Sequence, residues 1–246
     1  MKKLEDYLYY HEPGPPDITI YLGDCLEVMP LLQGGVDLTL CDPPYEQEAH
    51  TIQRRVKRSG GVMEIEALEF PEITEELRVG SAKEISRISK KWVLTFCQVE
   101  ASQIWRKTYE DSGLNYRRTC IWVKPDGMPQ YSGDRPGMGY ETLVAMHTPG
   151  KSEWNGGGVH GVFNYNKNDN GGKANPHPTM KPRPLIKKLI TLFSNHDEIV
   201  FDPFLGSGTT LVACKELKRN GIGIEISEKY CATAKKRLQN TQVPFI

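Results

Sequence analysis

Asp42-Pro43-Pro44-Tyr45 closes an apolar run, Val36 to Leu40, and Asp202-Pro203-Phe204-Leu205-Gly206-Ser207-Gly208-Thr209 follows a second run, Ile199 to Phe201. Asp42 offers a carboxylate acceptor at a strand end. Two successive prolines fix the backbone and remove two amide donors, which leaves carbonyls for an incoming donor to satisfy. Tyr45 adds a flat face for stacking. Such a pocket suits a planar heterocycle with an exocyclic amino group, because the ring can be held by a π contact while its N–H groups are accepted. The bland reading is a turn with a buried tyrosine.

The second segment is a glycine-bearing loop between a strand and a helix, the place where open α/β sheets bind ligands. Its G-x-G-T spacing lacks the third glycine of a dinucleotide fingerprint and the G-K-[ST] ending of a P-loop, so a nucleotide phosphate is not the expected guest. The next strand, Gly221-Ile222-Gly223-Ile224, ends in Glu225. A carboxylate about 20 residues beyond a glycine loop is placed to accept hydrogen bonds from a ribose diol. Taken singly, Glu225 reads equally well as a surface residue.

These segments need a sheet to position them, and the chain supplies one. Strand patterns occur at Ile18 to Leu22, Val36 to Leu40, Trp92 to Phe96, Arg118 to Val123, Thr142 to Met146, Ile199 to Phe201 and Gly221 to Ile226. Helical periodicity falls between them at Ile73 to Ser89, Val99 to Asp111, Pro184 to Phe193, Thr210 to Lys218 and Glu228 to Gln239. The alternation predicts an α/β fold with a mostly parallel sheet and helices on both faces. Arg118 to Val123 and Thr142 to Met146 have no helical segment between them and predict an antiparallel edge hairpin. Two stretches break the alternation and read as long loops. Residues 46–72 carry Arg54-Arg55-Val56-Lys57-Arg58-Ser59-Gly60-Gly61, and residues 126–178 are rich in Gly, Asn and Pro. Lys83, Arg87, Lys90 and Lys91 read as an exposed helix face.

With 246 residues, 38% hydrophobic and 25% charged, and no linker or internal repeat, a single domain over residues 1–246 is expected. The 31 basic and 31 acidic residues cancel, so any attraction to nucleic acid must be local. No run of about 18 apolar residues is present for a membrane span. The charged N-terminus does not resemble a signal peptide, and a cytoplasmic location follows as the expectation. Cys25, Cys41, Cys97, Cys120, Cys214 and Cys231 are scattered, with no C-x-x-C pair, and read as buried free thiols.

At this point the residues resemble the S-adenosylmethionine-dependent DNA amino methyltransferases. Asp42-Pro43-Pro44-Tyr45 matches their D/N/S-P-P-Y/F/W catalytic motif, and Asp202 to Thr209 matches their cofactor loop. His177-Pro178-Thr179-Met180-Lys181-Pro182 is similar to their H-P-T-x-K-P segment, and Gly23-Asp24-Cys25-Leu26 to the one that contacts the cofactor's adenine. The catalytic motif precedes the cofactor loop, the circularly permuted order of the β group. The resemblance spans roughly residues 18 to 240 and implies a Rossmann-like methyltransferase fold. It implies Asp24 and Cys25 near the adenine, Glu225 on the ribose with Ile226 beside it, and Asp202, Pro203, Phe204, Gly206, Ser207, Gly208 and Thr209 around the methionine portion. Thr179 and Lys181 close over that portion, and Asp42 counts as a cofactor contact as well as an acceptor.

The target amino group would be held by Asp42 and the Pro43 carbonyl, with Pro44 fixing the turn and Tyr45 stacking on the flipped base. Arg54, Arg55, Lys57 and Arg58 become candidate phosphate contacts on double-stranded DNA. Residues 126–178, with Arg135, Lys151, His160, Lys167 and Lys173, become a flexible target-recognition region. The resemblance also implies a bacterial cell or phage-infected host cytoplasm as the setting, and a homodimer by analogy with this group; a restriction partner stays unknown. None of the six cysteines follows a proline, unlike the nucleophile of 5-methylcytosine enzymes. Asp in the first position favours adenine N6 over cytosine N4, whose enzymes here more often carry Ser. RNA amino methylation remains an alternative, while a protein glutamine target goes with Asn at that position. A catalytically dead partner subunit would show damage to these motifs, and both are intact.

Overall fold

Val36–Cys41 is buried along its whole length, as a strand at the centre of a sheet covered on both faces must be. The structure, a computed structural model, describes residues 2–45, 55–58, 61–64, 73–127, 130, 133–167, 169 and 180–244, with the backbone alone for 55–58 and 61–64. Its strands are β1 (Leu8–Glu12), β2 (Ile18–Leu22), β3 (Val36–Cys41), β4 (Arg55–Arg58), β5 (Gly61–Glu64), β6 (Ser89–Cys97), β7 (Asn115–Val123), β8 (Tyr140–His147), β9 (Val162–Asn164), β10 (Ile199–Asp202) and β11 (Asn220–Glu225). Its α-helices are α1 (Cys25–Val28), α2 (Glu75–Ile88), α3 (Ser102–Asp111), α4 (Arg183–Phe193), α5 (Thr209–Leu217) and α6 (Glu228–Gln239).

Among the described residues nine strands form one sheet in the order β1-β2-β11-β10-β3-β6-β8-β7-β9. The five from β2 to β6 are parallel. β8 is antiparallel to both β6 and β7, so the expected hairpin stands on that side of the sheet. One more strand lies outside it: β9 pairs with β7, burying Phe163 in the same core layer as Trp122. At the other edge β1 folds back antiparallel on β2. Neither β1 nor β9 is legible in the sequence, because Tyr9, Tyr10 and His11 lack clear alternation and Val162-Phe163-Asn164 is too short to show any.

The sheet separates two apolar layers. On one side α4, α5 and α6 contribute Leu185, Leu189, Leu211, Cys231, Ala234 and Leu238; on the other α1, α2 and α3 contribute Val28, Ile85, Ile88, Trp105 and Tyr109. All six cysteines are buried free thiols within these layers. The helices begin where local chemistry dictates. The Thr74 side chain accepts from the Leu77 amide at 3.1 Å and caps α2, with Glu75 and Glu76 in the first turn. Pro182 and Pro184 flank the first residue of α4, where a missing amide costs nothing.

Two expectations change. Within the stretch read as a loop over 46–72, β4 and β5 pair antiparallel with Arg55 opposite Glu64 and Arg58 opposite Gly61. In the sequence Ser59-Gly60 is a dipeptide type that favours turns, a signal outweighed by the run of basic charge. Arg87 and Lys91 are not a simple exposed face either. Arg87 donates to the Met29 carbonyl at 2.7 Å, and Lys91 pairs with Glu198 and Glu153. Among the described residues no helix is long and apolar enough to cross a membrane.

The tightest constraint on the sheet's business end is Gly208, in the left-handed region at φ 82°, where an added Cβ would lie 2.6 Å from the Ala234 Cβ of α6. Gly208→Arg is therefore expected to destabilise the fold by about 3 kcal/mol or more. Urea unfolding monitored by circular dichroism measures this, and an unchanged midpoint would refute the packing argument.

Candidate active site

β3 and β10 are neighbours, and the chain departs from them in opposite directions, β10 toward β11 and β3 toward β6. Open sheets bind ligands in the crevice at such a reversal, beyond the carboxyl ends of the strands. Asp42 follows the end of β3, and Asp202 is the last residue of β10. Both sequence motifs thus open into one crevice although 160 residues of chain separate their leading aspartates.

On the β3 side the chemistry is ionic and buried. The Lys181 ammonium donates to Asp42 Oδ2 at 2.6 Å and to the Tyr45 hydroxyl at 2.8 Å, and lies 3.3 Å from Glu141 Oε2. Tyr45 in turn donates to Glu141 Oε2 at 2.8 Å, and Lys124 pairs with Glu141 Oε1. Lys181 is held rigidly because it immediately precedes Pro182 at the start of α4, a position that favours an extended backbone. Its ammonium is 5.0 Å from the centre of the Phe96 ring. Asp42 Oδ1 is buried and, among the described residues, has no hydrogen-bond partner. An unpaired carboxylate oxygen is costly to leave dry, and a ligand N–H would satisfy it.

The charges follow from these contacts. Burial pushes the Asp42 carboxyl up, with Lys181 pulling it down and Glu141 pushing it up again. Burial opposes the charge on Lys181, but Asp42 and Glu141 hold its pKa above the ordinary lysine range. Burial would also raise Glu141, yet Lys181 and Lys124 overcome it and hold that carboxyl at about 2. Burial lowers Lys124 despite Glu141.

On the β10 side the loop is pinned from three directions. Asp202 accepts from the Phe204 amide at 3.0 Å and from the Thr210 hydroxyl at 2.6 Å. Glu225, at the end of β11, accepts from the Gly206 amide at 2.7 Å and the Ser227 amide at 2.8 Å. From α6, Arg237 donates to the Ser207 carbonyl at 2.6 Å and to the hydroxyls of Ser207 and Thr209 at 3.0 and 3.1 Å. Gly206 has φ 53°, and open space lies where its Cβ would be, so the backbone there is left bare for a ligand. Pro203 is buried behind the loop and Phe204 is half-buried beside it. Ile226, the residue after Glu225, is 66% exposed, an apolar surface at a strand end suited to an aromatic ring. Asp24 caps α1 by accepting from the Leu26 amide at 2.8 Å, and Cys25 is buried, its thiol pushed up to about 12 first by burial and then by Asp24. A bare glycine backbone, two buried carboxylates and an exposed isoleucine together fit a nucleoside bearing an amino acid tail.

The structure places Asp42 and Asp202 at the ends of adjacent strands. Lys181, expected over the cofactor, bonds to Asp42 and Tyr45 of the tetrapeptide. Thr179 and Arg54 lie outside the described residues, and Arg55, Lys57 and Arg58 are strand residues of β4 whose backbone alone is described. Glu141, Lys124 and Arg237 went unread in the sequence. A glutamate opening the strand pattern at Thr142 and a lysine closing the one at Val123 were the available signal, since a hairpin would bring them together. Part of residues 126–178 is also ordered framework: β8 and β9 belong to the sheet, and Trp154 packs edge-on against Phe193 at 4.9 Å.

A family model described as DNA methylase, for N6 and N4 enzymes, matches residues 36–236. The type II methyltransferase M.HinfI of Haemophilus influenzae is 29% identical over 261 residues, which covers 90% of this chain and 68% of that protein. The crystal structure of the M1.HpyAVI complex with S-adenosylmethionine is similar at a TM-score of 0.68 and 26% identity, over 90% of this chain and 98% of that one. The cytosine-N4-specific PvuII DNA methyltransferase is similar at a TM-score of 0.67 over 89% of this chain and 86% of that one; at 14% identity the likeness is one of fold.

Burial lifts Asp202 to about 7, against the pull of Thr210 and Phe204 and with Asp42 and Glu225 adding to the rise. A cationic ligand in the crevice favours the ionised form, so binding it releases a proton below pH 7. The affinity for S-adenosylmethionine is expected to fall as pH drops below 7, by up to about tenfold per unit, and Asp202→Asn to flatten that slope. Titration calorimetry across this range checks it, and a pH-independent affinity for the wild-type protein contradicts it.

Proposed function

This chain belongs to the DNA methylase family of N6 and N4 enzymes, and from that premise we propose that it methylates the exocyclic N6 of adenine in double-stranded DNA. The observation that carries the reading is Asp42 itself: one carboxylate oxygen is fixed by Lys181 and the other, beside Tyr45, is buried and without a partner among the described residues. S-adenosylmethionine is the cofactor, and when bound it supplies an electrophilic methyl group and leaves as S-adenosylhomocysteine.

The protein's own groups do the rest. A base in a stacked duplex cannot reach the crevice, so the target is flipped out. Tyr45 stacks on its ring. Asp42 Oδ1 and the Pro43 carbonyl accept the two amino hydrogens, drawing the nitrogen lone pair out of conjugation with the ring. That lone pair forms the new N–C bond as the methyl's bond to sulfur breaks and its electrons remain on sulfur. The proton then in excess on nitrogen passes to Asp42, whose raised pKa suits it to receive one, and from there to solvent. Positioning supplies most of the rate, and no enzyme nucleophile is needed. The Glu225 and Ile226 end of β11 takes the ribose and adenine with Asp24 and Cys25, and the loop from Asp202 to Thr209 takes the methionine portion.

Aspartate at the head of the tetrapeptide supports adenine over cytosine N4, the alternative within the same chemistry. The test is transfer of tritiated methyl from S-adenosylmethionine into unmethylated genomic DNA, followed by mass spectrometry of the nucleosides. N6-methyladenine is expected; N4-methylcytosine would move the target to cytosine, and no labelled base would sink DNA methylation. Asp42→Ala is expected to abolish transfer while cofactor affinity survives.

With no net charge on the chain, phosphate contacts must come from a local patch, and the β4 segment carries four basic residues in five positions. Replacing Arg54, Arg55, Lys57 and Arg58 with Gln is expected to weaken DNA binding, and flatten its salt dependence, without altering cofactor affinity. Unchanged DNA affinity in a mobility-shift titration would make the segment a bystander.

A further inference from the structure

Glu141 is the second residue of β8, between the exposed Tyr140 and the buried run Thr142 to His147, and is itself only 9% exposed. A carboxylate there is expensive to desolvate, and burying ion pairs is a poor way to gain stability compared with apolar packing. It is nevertheless fully engaged. Opposite it on β7 is Trp122, and two residues beyond that Lys124 holds Oε1, while Oε2 receives the Tyr45 hydroxyl and faces Lys181. The result is a chain of alternating charge, Lys124, Glu141, Lys181 and Asp42, with the Tyr45 hydroxyl bridging its middle members.

We propose that Glu141, anchored by Lys124, is a positioning residue for methyl transfer: it shares the Lys181 ammonium with Asp42 and fixes the Tyr45 hydroxyl, leaving Asp42 Oδ1 as a strong, aimed acceptor for the target amino group. The inference rests on the reading of Asp42 as that acceptor. If Asp42 were Lys181's sole counter-ion, the ammonium would neutralise it more completely and its affinity for a proton or an amino hydrogen would fall. Glu141 prevents this by taking part of the same ammonium. It can do so at any working pH, because Lys181 and Lys124 keep it ionised down to about 2 despite burial. The groups facing Asp42 are Lys181 ahead of α4, Glu141 on β8, Tyr45, Asp202 at the end of β10 and the Cys41 thiol on β3. Of these Glu141 is an anion that touches Lys181 without belonging to either sequence motif. Tyr45 is fixed twice over, donating to Glu141 and accepting from Lys181, so its ring is set before any base arrives.

The experiment is single-turnover methylation of unmethylated genomic DNA across a pH series, for the wild type, Asp42→Ala, Glu141→Gln and the double variant Glu141→Gln/Lys124→Gln. Glu141→Gln is expected to lower the plateau rate about ten- to a hundredfold, with cofactor affinity retained. Its acidic limb, which reports ionisation of Asp42, is expected to move to lower pH by about one unit, because an anion that raises Asp42 has gone. The double variant removes the Lys124 charge that Glu141→Gln strands; it is expected to recover thermal stability and to keep the displaced limb. That combination distinguishes positioning from support of the fold. A wild-type rate in Glu141→Gln, or a reduced rate whose acidic limb has not moved in either folded variant, overturns the inference. An inactive wild type, or an active Asp42→Ala, instead overturns the reading of Asp42 on which it rests.

Discussion

A buried ammonium ties the structure together. Lys181 reaches across 139 positions of sequence to Asp42, and out of water its charge must be matched by carboxylates at close range. That requirement fixes three elements against one another: the end of β3, the start of β8 and the proline-framed start of α4. Unpairing the ammonium would leave a desolvated charge whose cost rivals the marginal stability of a domain. The tetrapeptide is therefore held at both Asp42 and Tyr45 by a cation from a distant part of the chain. The segment that supplies this cation belongs, by sequence, to the cofactor side.

The two halves of the crevice are built on different principles. The half proposed to hold the cofactor is a backbone structure, a glycine loop whose amides are taken by Asp202 and Glu225 and whose outer side is tied by Arg237. Its carboxylates spend their hydrogen bonds on shaping the loop, and its bare surface is where Gly206 lacks a side chain. The target half is a side-chain structure of alternating charges. Adjacent parallel strands bring the halves together, and the coupling between Asp42 and Asp202 links their ionisation. Transfer between two substrates needs this arrangement: one half grips by shape, the other is polarised toward the atom that must react.

Much of this was legible in the sequence. The apolar run Ile199 to Phe201 before Asp202 and the stretch Val36 to Leu40 before Asp42, where Val36, Leu38 and Leu40 alternate with Asp37 and Thr39, read as strands, and α6 could be read at both ends. What escaped notice was of two kinds. β1, β9 and the β4–β5 hairpin are short or charged, so their pairing is decided by tertiary partners that local pattern does not encode. Glu141 and Lys124 escaped because each is an ordinary charged residue at the end of a strand pattern, and only the hairpin register and the approach of Lys181 make them a network. Lys181 was found by motif, but its contacts to Asp42 and Tyr45 were not, since a motif gives the segment and not the direction in which its longest side chain points.

In the proposed reaction one oxygen of Asp42 receives the target amino group while Lys181 holds the other. A crystal structure of the protein with S-adenosylhomocysteine and a duplex carrying its mapped recognition site tests this directly. The expected complex has a flipped adenine stacked on Tyr45, its exocyclic nitrogen about 3 Å from Asp42 Oδ1, with the Lys181 contact to Oδ2 intact. A flipped base whose amino group lies away from Asp42, or one that displaces Lys181 from it, would contradict the account.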